Sequence, residues 1–182
     1  MSDDMVTWAE ETARAQLGGL PQRLQHVEGV ARHAESIASA IDEPDLLIAA
    51  AWLHDIGYSS AIAETGFHPV DGAEYLRKQG AQERLCALVE HHSCACVEGR
   101  RRGIVLKSAD ERTPLRDALW WADMTTTPTG EPTDVRSRIA EVLDRYGPEH
   151  VVAASVAESM PDLIAAVERT CALARRAGVG FR

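Results

Sequence analysis

Apolar residues recur along this chain at three- and four-residue steps, so the pattern predicts helices throughout. A weakly amphipathic first helix is expected over residues 7–17, with Ser2 available as a cap and Gly18-Gly19 as its stop. Pro21 suits the first turn of a second helix, whose stripe is Leu24, Val27, Ala31, Ala34, Ile37 and Ile41. Asp42-Glu43-Pro44 starts a third, which runs through Leu46, Leu47, Ala50 and Leu53 and stops near Gly57. Residues 59–67 read as a loop, 69–79 as a fourth helix, and 82–94 as a fifth with Leu85, Leu88 and Val89 buried. The glycine- and arginine-rich stretch 96–113 reads either as a flap or as a loop with a short helix. Pro114 opens a sixth helix over 115–125, followed by a loop to Pro132. Two last helices, at 133–146 and at 148–177 with a break near Pro161, carry periodic valine, isoleucine and leucine and are assigned to packing. His150 is read as a surface or helix-start residue.

Composition narrows the class. A chain of 182 residues with 45% hydrophobic content fits one domain, residues 1–182, whose core stands without staples. No apolar run approaches the roughly 20 residues needed to cross a bilayer, and the start, Met1-Ser2-Asp3-Asp4, is acidic where a secretory signal is basic. A cytoplasmic protein without a membrane partner is expected. Cys86, Cys94, Cys96 and Cys171 form no paired framework and are read as reduced thiols. A net charge of −9 repels a phosphate backbone and argues against general nucleic-acid binding. A small anionic substrate stays admissible if a metal supplies local positive charge. Arg100-Arg101-Arg102 is read as a solvated loop in preference to a phosphate clamp.

Chemistry enters where polarity breaks the pattern. His54 and Asp55 sit inside the run Ala-Ala-Ala-Trp-Leu-His-Asp-Ile-Gly-Tyr, and burying an imidazole and a carboxylate unsatisfied costs several kcal/mol. They need partners from elsewhere. Asp123, among Leu119, Trp120, Trp121, Ala122 and Met124, poses the same problem. His26 lies beside the second helix's stripe, with His33 two turns along; His68 stands at a helix start, where a neutral imidazole is favoured; His91-His92 closes the fifth helix. Imidazole and carboxylate donors without a thiolate set suit one or two divalent ions such as Fe, Mn, Co, Ni or Zn, with Mg less comfortable.

These residues carry a resemblance. Gln25-His26-Val27-Glu28-Gly29-Val30-Ala31, Leu53-His54-Asp55-Ile56-Gly57 and Asp123 resemble the HD superfamily of metal-dependent phosphohydrolases, over more than half of the chain. The resemblance implies an all-α helical bundle of the HD-domain type, with a metal-site core at about 20–127 and packing helices at about 133–177. It implies that His26, His54, Asp55 and Asp123 hold one metal. The stretch from His68 to Leu76 and the pair His91-His92 are similar to the binuclear branch, in which Asp55 bridges two ions and His68, His91 and His92 complete the second. Three departures stand against carrying over a substrate. Tyr58 replaces a lysine that binds phosphate in many such hydrolases, Ser93 replaces the glutamate of the cyclic-di-nucleotide enzymes, and their Gly-Tyr-Pro signature is absent.

The reaction so implied is cleavage of a phosphomonoester or phosphodiester in a small, nucleotide-like substrate, with Asp55 at the catalytic centre and a metal-activated water as nucleophile. Tyr58, Thr125 and Thr126, with Thr127, are the expected substrate contacts, and Glu28 or Glu90 the acid that orients a ligand histidine. Two alternatives share the ligand set: a di-iron oxygenase acting on an organophosphonate or polyol, which Tyr58 favours, and a nucleotide sensor without turnover. Apolar positions in the last helices suit either an internal core or a homodimer interface.

Overall fold

The computed structural model describes residues 2–180, with side chains for 4–180. Nine α-helices follow one another among them: α1 (Ser2–Leu17), α2 (Pro21–Ile37), α3 (Pro44–Leu53), α4 (His68–Lys78), α5 (Glu83–Glu90), α6 (Ala95–Arg102), α7 (Pro114–Met124), α8 (Val135–Tyr146) and α9 (Val151–Arg176). Among the described residues the β-type pairing is one isolated bridge, Thr126 to Pro132. The fold is therefore all-α. No helix among the described residues is long and apolar enough to cross a membrane.

The order of packing follows from polarity. From Leu46 to Leu53 helix α3 has no polar side chain, and a helix apolar on every face must be surrounded. It packs against α1, α2, α5 and α7. Helix α7 is also buried from Leu115 to Met124, although it carries Arg116, Asp117 and Asp123, and it is covered by α2, α3 and α9. Amphipathic α8 lies on α9. One apolar cluster draws residues from every helix except α6, while Phe67, Val70 and Ala95 form a smaller one under Ile104 and Leu106.

Several boundaries differ from those the sequence predicts. The first helix begins at Ser2, five residues early, and the side chain of Ser2 lies outside the described residues. Helix α2 ends at Ile37 and tightens into a 3-10 turn, Ala38–Ala40, although Ile41 stays buried. Helix α3 stops at Leu53, and a 3-10 turn, Ile56–Tyr58, follows it. Helix α5 stops at Glu90, short of Cys94, because Ser93 and Cys94 adopt positive φ. The stretch read as a flap or a loop with a short helix does contain a short helix, α6, so Arg100-Arg101-Arg102 is a last helical turn and not a loop; Arg100 and Arg101 both pair with Glu158 of α9. Helix α9 runs unbroken through Pro161. Pro161 and Ala157, whose carbonyl loses its donor to the ring, are both exposed, so solvent replaces the missing bond. Among the described residues the exposed large hydrophobics are Leu20, Tyr58 and Val105, none of them on α8 or α9.

Two backbone approaches bring distant segments to one place. A Cβ on Gly57 would stand 2.0 Å from the His68 carbonyl oxygen and 2.7 Å from the Gly72 nitrogen. Only glycine lets the turn after Asp55 rest on α4. A Cβ on Gly29 would stand 2.5 Å from the Gly130 Cα, so the loop after α7 presses directly on α2. Gly57→Ala is expected to destabilise the protein by about 1–3 kcal/mol in urea unfolding, by the usual cost of overpacking, and to reduce metal uptake by pushing Asp55 from His68.

Candidate metal centre

The end of α3 aims two adjacent side chains in different directions. His54 keeps helical backbone angles, and its Nδ1–H donates to the Ala51 carbonyl at 2.8 Å, leaving Nε2 to point away from its own helix. Asp55 has left the helix, at φ −106° and ψ 6°. Two neighbours that would be 100° apart on a continuous helix thus address one centre. The end of α5 repeats the device. His92 Nδ1–H donates to the Val89 carbonyl at 2.6 Å, again three residues back. His26, on α2, is held from across the fold: its Nδ1–H donates to the Thr127 carbonyl at 3.0 Å, in the loop that Gly29 and Gly130 bring close.

Those bonds fix the tautomer. A neutral imidazole that donates from Nδ1 has a bare lone pair on Nε2, and three such lone pairs face carboxylates. Asp55 Oδ2 lies 3.4 Å from His54 Nε2 and 3.9 Å from His26 Nε2. Asp55 Oδ1 lies 3.2 Å from His68 Nε2 and 3.6 Å from His92 Nε2, and those two nitrogens are 3.1 Å apart. Asp123 Oδ1 is 3.0 Å from His26 Nε2 and 3.9 Å from His54 Nε2, while its Oδ2 accepts from the Ser93 hydroxyl. Two groups therefore have metal-ligand spacing: His26, His54 and Asp55, and Asp55, His68 and His92. Asp55 belongs to both, one oxygen to each.

The donor set fits a cation on two grounds. Bare nitrogens facing carboxylate oxygens repel unless a proton or metal ion lies among them, and His54 Nε2 is fully buried with no hydrogen-bond partner. Donors bound at about 2.0–2.2 Å to one ion also stand roughly 3.0–3.5 Å apart, close to the spacings here.

Electrostatics agree. Burial would push the Asp55 carboxyl up, but the charges of His54 and Arg23 hold it well below the ordinary carboxylate range. Burial likewise opposes ionisation of Asp123, and the His26 hydrogen bond and the His54 charge override it. His54 alone would be depressed by burial; the Asp55 charge lifts it to about 9. His92 is pushed down to about 3 by burial and by the positive charges of His54 and His68, so its lone pair is available at any ordinary pH.

Not every expected residue comes to the centre. The helix break turns His91 away from His92: its Nε2–H donates to the Ser108 carbonyl at 2.8 Å, and its own carbonyl accepts from the Trp120 indole at 3.0 Å. Thr125 and Thr126 are buried, and their hydroxyls donate to the Trp121 and Ala122 carbonyls, both at 2.7 Å, on the side facing His33. Thr127 contributes its carbonyl to His26, not its hydroxyl. Glu28 pairs with Arg14, and buried Glu90 holds the backbone nitrogens of Lys107 and Ser108, each at 2.9 Å. Glu90 so fixes the segment on which His91 rests. Tyr58 does reach the site, its ring stacked on His68 at 4.0 Å.

Other residues at the site are ones the sequence reading passed over. Arg23 donates to Asp55 Oδ2 at 2.6 Å and lies over the Tyr58 ring at 4.0 Å. It stands three residues before His26, one turn away on the same face, and that spacing was the available signal. Helix α8, assigned to packing, sends Arg138 and Arg145 into the pocket, with Tyr146 beside them, and Arg138 is buried. An inner space of about 110 Å³ over the His/Asp cluster shares Arg23, His26, Tyr58, Arg138 and Arg145 with an outer chamber of about 370 Å³.

A helical fold that converges histidines and aspartates from α2, α3, α4, α7 and the turn after α5 defines a class of candidate metal-binding proteins. The HD domain family matches residues 23–148, and the chain belongs to that family. Membership points to metal-dependent hydrolase chemistry. A tRNA (cytidine(56)-2'-O)-methyltransferase of Thermoplasma volcanium is 36% identical over 76 residues, which cover 41% of this chain. The match covers 22% of that relative's length. No solved structure matches the chain.

Metal content separates the two groups. Asp55→Ala is expected to bind no divalent ion tightly, and His92→Ala to retain about half of the wild-type equivalents, measured by elemental analysis after dialysis. With His54 lifted to about 9, its Nε2 carries a proton at neutral pH, and a metal must displace that proton. Affinity should therefore rise with pH up to about 9 and weaken by about tenfold per unit below it, read by competition with a chelator.

Proposed function

We propose that the protein is a metal-dependent phosphohydrolase that cleaves a phosphomonoester or phosphodiester in a small, nucleotide-like substrate. The observation that carries this reading is the placing of Asp55, one oxygen toward each histidine pair, beneath a pocket lined by Arg23, Arg138 and Arg145. His26, His54, Asp55, His68 and His92 would hold divalent ions there, which would supply a water of lowered pKa and neutralise charge on a phosphoryl group.

The chain's own side chains supply position and charge. Asp55 and Asp123 are held ionised, and the Nδ1 bonds of His26, His54 and His92 keep each ring in place, which is the positioning on which phosphoryl transfer depends. Tyr58 stands where many relatives carry a lysine, and Arg23, stacked on its ring, offers a guanidinium at the same spot. A planar fork of donors suits a phosphoryl group's paired oxygens. Although the residue is 38% exposed overall, the enclosure of the Tyr58 phenol in the pocket and the Asp55 charge push it up, so it remains a hydrogen-bond donor. This favours a phosphoryl ligand over an oxygenase reading, because the cation expected from the lysine is supplied by another helix. The cavity is at the small end of ligand pockets, consistent with a substrate of nucleotide size or less.

The test is an assay of protein purified anaerobically against nucleotides and simple phosphate esters, with Mn²⁺ or Fe²⁺, in the presence and absence of oxygen. Phosphate release at a rate indifferent to oxygen is expected. Oxygen consumption coupled to substrate loss, or binding without turnover, overturns the proposal. Arg23→Ala should raise KM by at least about tenfold, the loss of one charge-assisted hydrogen bond to substrate.

A further inference from the structure

The chain carries 28 acidic side chains against 19 basic ones, yet its outer chamber is lined by three arginines, Arg23, Arg138 and Arg145, with no acid among its lining residues. Arg23 is engaged by Asp55. The other two lie seven residues apart on α8, two turns along one face, and share a single carboxylate, Glu141. Two guanidiniums against one carboxylate leave a net positive charge. The Arg138 side chain is only 9% exposed, and its Nε is buried without a hydrogen-bond partner. Half-paired buried charge is costly, and an anion entering the chamber would relieve it.

A single phosphoryl group does not account for these arginines. The His/Asp cluster lies in the inner space, where bound cations and Arg23 already oppose a phosphoryl charge. Arg138 and Arg145 also face the larger outer chamber, between the turn that precedes α2 and Pro128. We propose that this arginine pair docks a second anionic group, a carboxylate or phosphate, carried by the substrate beyond the phosphoryl group that is cleaved. The inference rests on the phosphohydrolase reading and narrows its substrate class to small phosphate esters with a second negative end. Arg138, the more buried, fixes that group, and Arg145, at 37% exposure, closes on it from the chamber mouth.

Non-hydrolysable probes test this without turnover. The full chain loaded with Mn²⁺ is titrated calorimetrically with phosphonoacetate, 3-phosphonopropionate and 4-phosphonobutyrate, and with alkylphosphonates of matching length that lack the carboxylate. At least one carboxylate probe should bind about tenfold tighter than the alkylphosphonate of matching length, the worth of a charge-assisted contact. In Arg145→Ala that preference should fall to near one, while alkylphosphonate affinity stays within about twofold. Arg138→Lys, which keeps charge and bulk, should retain part of it. Equal binding of probes with and without the carboxylate at every length, or a preference that survives Arg145→Ala, overturns the second anion site alone. Failure of every phosphonate to bind overturns the phosphoryl reading together with it.

Discussion

One carboxylate facing four imidazoles is the constraint on which the rest of this structure depends. Asp55 offers Oδ2 to His26 and His54 and Oδ1 to His68 and His92, in a pocket from which water is largely excluded. Charge in such a place is tolerable only when it is compensated at contact distance, so the segments that bring the compensating groups are held to within an ångström or so. Helices α3 and α7 serve that end. They are mostly buried, their positions are set by packing, and each delivers an acid to the centre.

The second requirement is orientation, and it is met by backbone. Each of His26, His54 and His92 commits Nδ1 to a carbonyl, which decides the nitrogen that remains for a cation and the direction in which it points. Gly57 and Gly29 supply the remaining precision by removing side chains where two backbones meet. The site is thus built from helix ends and close approaches, and loop side chains contribute little to it.

The helical class, most helix positions and the cluster formed by His26, His54, Asp55, His68, His92 and Asp123 were legible because polar residues in apolar runs announce themselves. His91 could not be told from His92 by pattern. The two separate only because Ser93 and Cys94 turn left-handed, which periodicity does not encode. Thr125 and Thr126 followed Asp123 closely enough to suggest the mouth of the site, yet their hydroxyls satisfy the last carbonyls of α7. Arg138 and Arg145 were hidden by the ordinary look of an amphipathic helix, where arginine is usually solvated. Pro161 suggested a break that its exposed setting makes unnecessary.

The imidazoles differ in how far along the chain their support lies. His54 and His92 are braced by carbonyls three residues away, whereas His26 depends on Thr127, across a loop of 101 residues. As the polypeptide leaves the ribosome, His54 and His92 emerge together with the carbonyls that brace them. The contacts that involve residue 26 must wait until the chain beyond α7 has been made and folded back. Half of the centre is therefore a local structure and half a long-range one, so the two halves mature in a fixed order during synthesis.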